Sequence, residues 1–329
     1  MVMISSAIPF EIESRTTMFF ILLLKGFLIG IAFIIPGLSG GTLAIYLGVY
    51  DKLIYSITHI FKDFKKSFML LLPLLIGLVF SIILLAKLLG WLISLNSMIT
   101  LSFFVGLLIG GIPSLYDKIK KNKINASSIL SFACSFILIL LLLIGKIGNL
   151  TTPIYSFDFT PWTYLLIIVF GFLSAATMIV PGVSGSALLI TLGVYTAIVT
   201  DVIGNILDFS LLGYNLRVII PFGIGAVFGI FLVSKVIEIS LRKFFVQTYS
   251  AIIGFIMASA IVIFFEMKDQ TSAPDFKNQI PIYQQLSSYI SANIISVIFA
   301  IFAIVIGFFV AQKLVKIDRL FDYDQNKIR

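Results

Sequence analysis

The sequence predicts an all-α polytopic membrane protein made of two inverted-topology repeats. Each repeat is expected to be a re-entrant, broken helical hairpin followed by three transmembrane helices. Three observations predict this. The 329 residues are 60% hydrophobic and 12% charged, with a mean hydropathy of +1.13, and the apolar runs approach or exceed the ~20 residues that cross a bilayer as a helix. An apolar run is interrupted by Pro36-Gly37-Leu38-Ser39-Gly40-Gly41-Thr42, and the interruption returns as Pro181-Gly182-Val183-Ser184-Gly185-Ser186. Lysine and arginine, finally, collect in alternate connections.

Taken in order, residues 1–150 form the first repeat. Its broken hairpin covers 17–59, with limbs at 17–35 and 41–59, and spans follow at about 68–95, 98–115 and 127–145. Residues 151–329 form the second, with a hairpin over 162–204 and spans at about 215–240, 248–266 and 291–312. Proline ends a helical segment because it lacks the N–H and crowds the preceding turn. Inside lipid the freed N–H and C=O groups find no water, so such a break survives only where protein or a polar cavity receives it. The two turns therefore read as halves of one site, and each leads into the same Leu-Gly-Val-Tyr, at Leu47 to Tyr50 and at Leu192 to Tyr195.

The halves align beyond the turns. Gly26-Phe27-Leu28 matches Gly171-Phe172-Leu173 at an offset of 145, the offset of the turns themselves. After a three-residue insertion near 211–215, Pro73 matches Pro221, Gly77 matches Gly225, Phe80 matches Phe228, Lys87 matches Lys235 and Gly106 matches Gly254. Internal symmetry of this kind is common in transporters. Crossing once per long run puts fourteen Lys and Arg (within 62–66, 118–123, 242–243 and 313–329) on one side, against Lys146, Lys268 and Lys277 on the other. The richer side is assigned to the cytoplasm, with both termini there. Three crossings per half is odd, so the second half must lie inverted. Hairpins are preferred to full spans at the breaks because Lys25, Asp51 and Lys52 crowd the first; ten spans is the alternative.

Several function classes recede. The net charge of +8 sits in short connections between apolar runs, which argues against nucleic acid. A single cysteine, Cys134, excludes an internal disulfide and is expected to pack in its apolar run. No His/Cys/carboxylate cluster suggests a metal, and no cofactor is expected. The mixed polar residues 1–16 and the absence of a small-residue cleavage site make a removable signal unexpected. Gly37-Leu38-Ser39-Gly40-Gly41 fits G-x-S-x-G, but the only histidine, His59, lies beside a lysine-rich loop and the second half has none, against a serine hydrolase.

What the turns offer is an anion site. A helix that begins after Pro-Gly-x-Ser-Gly presents free N–H groups and the positive end of its dipole. The candidate binding residues are Ser39, Gly40, Gly41 and Thr42 in the first copy and Ser184, Gly185 and Ser186 in the second, hydroxyls donating and glycines allowing close approach. Lys87 and Lys235 could aim ammonium groups at the anion or snorkel to the interface, and Arg217 could receive a phosphate or anchor its span. Asp51, Asp201, Glu238 and Glu266 are candidate coupling groups, and the Lys235–Glu238 spacing of three permits an ion pair.

At these residues the chain resembles a family once of unknown function and now associated with polyprenyl-phosphate transport. The likeness rests on Gly30-Ile31-Ala32 leading to Pro36 through Thr42, on Leu47-Gly48-Val49-Tyr50-Asp51-Lys52-Leu53, and on Met178-Ile179-Val180 leading to Pro181 through Ser186 with Leu192-Gly193-Val194-Tyr195. It covers nearly the whole chain. It implies a transporter that recycles undecaprenyl phosphate from the outer to the cytoplasmic leaflet of a bacterial or archaeal cytoplasmic membrane, with the lipid as partner. Phe33 stands three residues before the first proline, where the resemblance implies a polar residue, and Met178 holds the matching place in the second copy. A transporter or channel for a small anion could use the same turns.

Overall fold

Where the apolar runs lie, the chain is helical. The computed structural model describes residues 7–34, 38–148, 156–203, 208–273 and 278–327; the side chains of Lys87 and Ser186 lie outside that description, as do Pro36 and Gly37 entirely. The helices are α1 (Ala7–Ile34), α2 (Gly40–Tyr46), α3 (Tyr50–Thr58), α4 (Phe64–Leu95), α5 (Ser97–Ile119) and α6 (Ala126–Ile147). Then come α7 (Pro161–Ile179), α8 (Gly185–Thr191), a π-helical segment Thr196–Ile203, α9 (Leu212–Lys243), α10 (Phe245–Phe265), α11 (Leu286–Ala292) and α12 (Ile294–Lys327). Among the described residues there is no strand, only an isolated bridge between Lys268 and Pro281.

Seven of the described helices are long and apolar enough to cross a membrane. Six are the expected long runs, and the seventh is α7. The expected limb at 17–35 is the later part of the 28-residue α1. The returning limbs differ from simple helices: each is cut again at Leu-Gly-Val, giving α2 and α3 in one and α8 and the π-helical segment in the other.

Local chemistry accounts for the boundaries. Asn96, Asn125 and Thr160 sit in extended backbone and accept from the N–H of Ile99 at 3.0 Å, Ser128 at 3.1 Å and Thr163 at 3.2 Å, starting α5, α6 and α7. Pro161 fills the first turn of α7, where its missing N–H costs nothing. Ahead of α9, the Asp208 carboxylate accepts from the N–H and hydroxyl of Ser210 at 2.9 and 2.7 Å, which holds its pKa below the usual carboxylate value.

Helices pair through small residues, as expected where lipid supplies no hydrophobic drive between helices. α1 lies on α4 and α7 on α9. A Cβ on Gly26 would strike the Leu74 carbonyl, and one on Gly77 the Leu23 carbonyl. In the other half a Cβ on Gly171 would strike the Phe222 carbonyl, and one on Gly225 the Ile168 carbonyl. The offsets that match Gly26 to Gly171 and Gly77 to Gly225 carry Leu23 to Ile168 and Leu74 to Phe222 as well. The remaining pairs cross between halves, α5 with α12 and α6 with α10, while α5 and α10 meet at the centre. Large apolar residues such as Ile83, Val227, Phe228 and Ile295 face outward, where a bilayer would receive them. Cys134 is exposed on α6, which corrects the expectation that it packs inside.

Candidate functional site

The two breaks meet. The first begins in extended backbone at Ser39 (φ −104°, ψ 131°) and turns into α2 at Gly40. Helix geometry leaves the N–H groups of Gly40 and Gly41 without an intrahelical acceptor; those of Thr42 and Leu43 reach the Ser39 carbonyl at 3.0 and 3.4 Å. Every residue of α2 is buried. The second break ends α7 at Ile179, with Val180 in extended backbone, and turns at Gly182, whose φ of +82° belongs to the left-handed region that glycine tolerates.

Their junction is made of hydroxyls on carbonyls. The end of α7 and Pro181 leave carbonyls with no helical partner, and unpaired carbonyls in a dry interior cost of order 1–3 kcal/mol each. Tyr50 donates to the Ile179 carbonyl at 2.9 Å, Ser39 to the Val180 carbonyl at 3.3 Å, and Ser259 of α10 to the Gly182 carbonyl. Gly41 lies over Pro181 so closely that an added Cβ would sit 3.2 Å from its Cα. Thr42 is fully buried, and its hydroxyl has no hydrogen-bond partner among the described residues.

The repeated Leu-Gly-Val-Tyr has a definite backbone role. Gly48 (φ +64°) and Gly193 (φ +74°) follow the ends of α2 and α8. Gly48 N–H donates to Ile45 and Val49 N–H to Ala44, each at 3.0 Å; Gly193 donates to Ile190 at 2.9 Å and Val194 to Leu189 at 3.0 Å. That pair of bonds is a Schellman cap, which satisfies the last carbonyls of a short helix where no water reaches them. Tyr46 completes the packing of α2 by donating to the Leu108 carbonyl at 2.6 Å, its ring lying on Gly111.

The other candidate residues are spread out. Ser184 and Gly185 are half-buried at the start of α8, and a Cβ on Gly185 would approach the Thr177 hydroxyl at 2.8 Å. Lys235 pairs with Glu238 at 3.1 Å, as its spacing suggested. Glu238 is 8% exposed at its side chain and also meets Arg242 at 2.8 Å and His59 at 3.9 Å, the last reaching across from the end of α3. Arg217 is exposed, 5.3 Å over the Phe159 ring. Arg217 and Lys235 are five turns of α9 apart, about 27 Å, so they serve different places. Asp51 is exposed and 4.0 Å from Lys118; Asp201 is exposed; Glu266 borders a cavity of about 230 Å³ with Lys268 and Tyr283, remote in sequence from both breaks. His59 is stacked on Tyr55 and bonded to Thr58, while the Ser39 hydroxyl faces a carbonyl, so the arrangement of a serine hydrolase is not formed. The role of Tyr50 went unread in the sequence, although its repetition at Tyr195 was the available signal.

A multi-pass α-helical membrane protein in which two broken helical limbs meet is the class that fold and site define. A protein-family model described as VCA0040-like, undecaprenyl phosphate translocase-like, matches residues 29–280, a stretch that holds both breaks. The chain belongs to that family. It is similar to the polyprenyl-phosphate transporter of Staphylococcus aureus (strain NCTC 8325 / PS 47), 30% identical over 248 residues that cover 74% of this chain and 85% of the relative. It is also similar to the polyprenyl-phosphate transporter of Vibrio cholerae serotype O1, 27% identical over 250 residues, 72% of this chain and 74% of the relative. No solved structure matches it significantly.

Proposed function

We propose that the protein transports polyprenyl phosphate, returning undecaprenyl phosphate from the outer to the cytoplasmic leaflet, and that the phosphate passes between the two breaks while the isoprenoid stays in lipid. The observation that carries this reading is the junction itself: Ser39 on the Val180 carbonyl and Gly41 over Pro181 bring two interrupted helices face to face. The names of the relatives supply the lipid. An inverted pair of repeats is supported by the equivalent glycine contacts of α1 with α4 and α7 with α9, and by the charge bias that sets both termini in the cytoplasm.

In the arrangement seen, α2 is packed against Pro181, so the headgroup is admitted only when the breaks part. Parting frees the Ser39 hydroxyl and uncovers the first turn of α2, where backbone N–H groups and the helix dipole receive an oxyanion. Thr42, whose hydroxyl has no partner among the described residues, adds a donor. The equivalent start at Ser184, Gly185 and Ser186 serves the phosphate from the other face. Lys87 and Lys235 both stand toward the C-terminal ends of α4 and α9, ends that inverted repeats set near opposite leaflets, so they act in turn, one near each leaflet, with Arg217 at the outer end of α9. Asp51, Asp201, Glu238 and Glu266 stay candidate coupling groups, of which Glu238 has the strongest setting.

The test is reconstitution into liposomes with a short-chain fluorescent polyprenyl phosphate, reading the fraction protected from an external quencher. Movement that depends on the protein and is competed by unlabelled polyprenyl phosphate supports the reading. Flux of inorganic phosphate with no movement of the lipid transfers the site to a small anion.

A further inference from the structure

The first broken limb crosses onto the other half of the chain, and the second does not return the contact to the same degree. α2 packs on α7, and α3 on both α4 and α9; in the second limb α8 packs on α6 of the first half, whereas the π-helical segment Thr196–Ile203 packs on α9 of its own half. Burial follows the same division. At positions related by the offset of 145 (Gly26 to Gly171), Tyr50 and Ser56 are 3% and 5% exposed, while Tyr195 is half-buried and Asp201 is exposed. Tyr50 donates to the Ile179 carbonyl at 2.9 Å; the Tyr195 hydroxyl has no hydrogen bond among the described residues. The offset that carries Tyr50 to Tyr195 carries Ile34, the last residue of α1, to Ile179, the last of α7.

We propose that Tyr50 and Tyr195 are reciprocal gate residues. Tyr50 closes one side of the site by donating to the Ile179 carbonyl, as seen here; in the opposite state Tyr195 donates to the Ile34 carbonyl and Tyr50 lets go. The idea rests on the inverted-repeat reading, under which the closed side is cytoplasmic: α3 runs from Tyr50 to the lysine-rich connection at 62–66 and ends with His59 beside Glu238. The physical logic is balance. A helix that stops inside a membrane leaves carbonyls that must be received. A hydroxyl from the opposite half receives one of them only while that side is shut, so opening it forfeits a buried hydrogen bond. If closing the other side forms the equivalent bond, the two states differ little in free energy, and a modest bias can move the population either way. Tyr50 and Tyr195 are positioning residues in this scheme, since they act on the backbone that frames the phosphate.

The experiment uses the full chain with Cys134→Ala, purified in nanodiscs so that both faces meet the reagent, and single reporter cysteines at Ser56→Cys or Asp201→Cys. Labelling rates with a charged maleimide are measured. The parent should label slowly at position 56 and rapidly at 201. Tyr50→Phe, which keeps the ring and removes only the donor, should raise the rate at 56 by up to about fivefold and lower that at 201 by a smaller factor, the two factors multiplying to about five, as loss of one buried hydrogen bond implies. Tyr195→Phe should move both rates in the opposite sense, and the double variant should return near the parent. Rates unchanged by either substitution, or rising together at both reporters, overturn the proposal, because a merely structural tyrosine loosens both sides alike. The liposome assay, run on the Cys134→Ala chain with Ser56 and Asp201 kept, separates this from the substrate reading: opposed labelling of the reporters without movement of polyprenyl phosphate by that chain keeps the gate and loses the lipid, and the converse loses the gate alone.

Discussion

The two returning limbs have nearly the same plan and different surroundings. Both start after a Pro-Gly-x-Ser-Gly turn, run for seven residues and are capped by a left-handed glycine, Gly48 or Gly193. The first continues as a regular helix, α3, whose C-terminal end reaches the Glu238 cluster of α9; the second continues as a π-helical segment. The first limb is also buried where the second is half-open. A pair of elements with one cap chemistry and two packings fits a two-state device better than a static scaffold, in which equivalent sequences would have equivalent neighbours.

Substitutions that separate the limbs should rank accordingly, and the largest effect falls on the second turn. Gly182→Ala forces a side chain into a left-handed backbone and against the Phe255 backbone at 2.7 Å; a loss of about 2–4 kcal/mol is expected in denaturant unfolding. Gly185→Ala needs no left-handed backbone but meets the Thr177 hydroxyl at 2.8 Å and the Ser174 carbonyl at 3.2 Å, and should cost less, about 1 kcal/mol. Equal losses would remove the distinction between a turn that requires glycine and a start that merely prefers it. Glu238→Ala leaves Arg242, Lys235 and His59 facing one another, and about 1–3 kcal/mol should be lost, less than for a fully buried pair because both basic partners are well exposed. The same variant should loosen α3 from α9, read as faster amide exchange across Tyr50–Thr58 with the equivalent Thr196–Ile203 segment unaffected.

Much of this comparison was legible in the sequence. The six long runs became helices because continuous apolar stretches leave few alternatives in lipid, and the breaks fall where proline and paired glycines interrupt them. Lys235 and Glu238 meet because a spacing of three on a helix puts both on one face. What could not be read depends on contacts between distant segments. The bonds from Tyr50 to Ile179 and from Ser39 to Val180 join positions 129 and 141 residues apart, and no local pattern announces them. The sequence reading gave the serine hydroxyl to an anion, and in this state the carbonyl holds it. The π-helical turns of Thr196–Ile203 reflect packing, since Thr196-Ala197-Ile198-Val199 is no worse a helix former than the first limb. Cys134 faces outward because it shares one face of α6 with the exposed Leu130, Ile137, Leu141 and Ile144, a rotation that a uniformly apolar run does not encode.

Smaller effects sharpen the account further. Tyr46→Phe leaves the Leu108 carbonyl without its hydroxyl donor and should cost about 1 kcal/mol. Ser39→Ala should cost about 0.5–1 kcal/mol, because the Val180 carbonyl keeps the Val183 N–H at 3.4 Å. Transport in that variant should fall only severalfold, since the backbone N–H groups of Gly40 and Gly41 persist; complete loss would return the serine to the centre of the chemistry. Cys134→Ala, on the outer face of α6, should change stability by less than about 0.5 kcal/mol.

The central claim is that the two breaks form one site and must part for a phosphate headgroup to pass. It is tested most directly by joining them. In a Cys134→Ala chain carrying Ser39→Cys and Val180→Cys, a short thiosulfonate crosslinker cleavable by reductant should tie the first turn to the second. Polyprenyl-phosphate movement in liposomes should stop on crosslinking and resume on reduction, with neither single cysteine affected. Undiminished movement in the fully crosslinked protein would contradict the account and place the headgroup path elsewhere in the bundle.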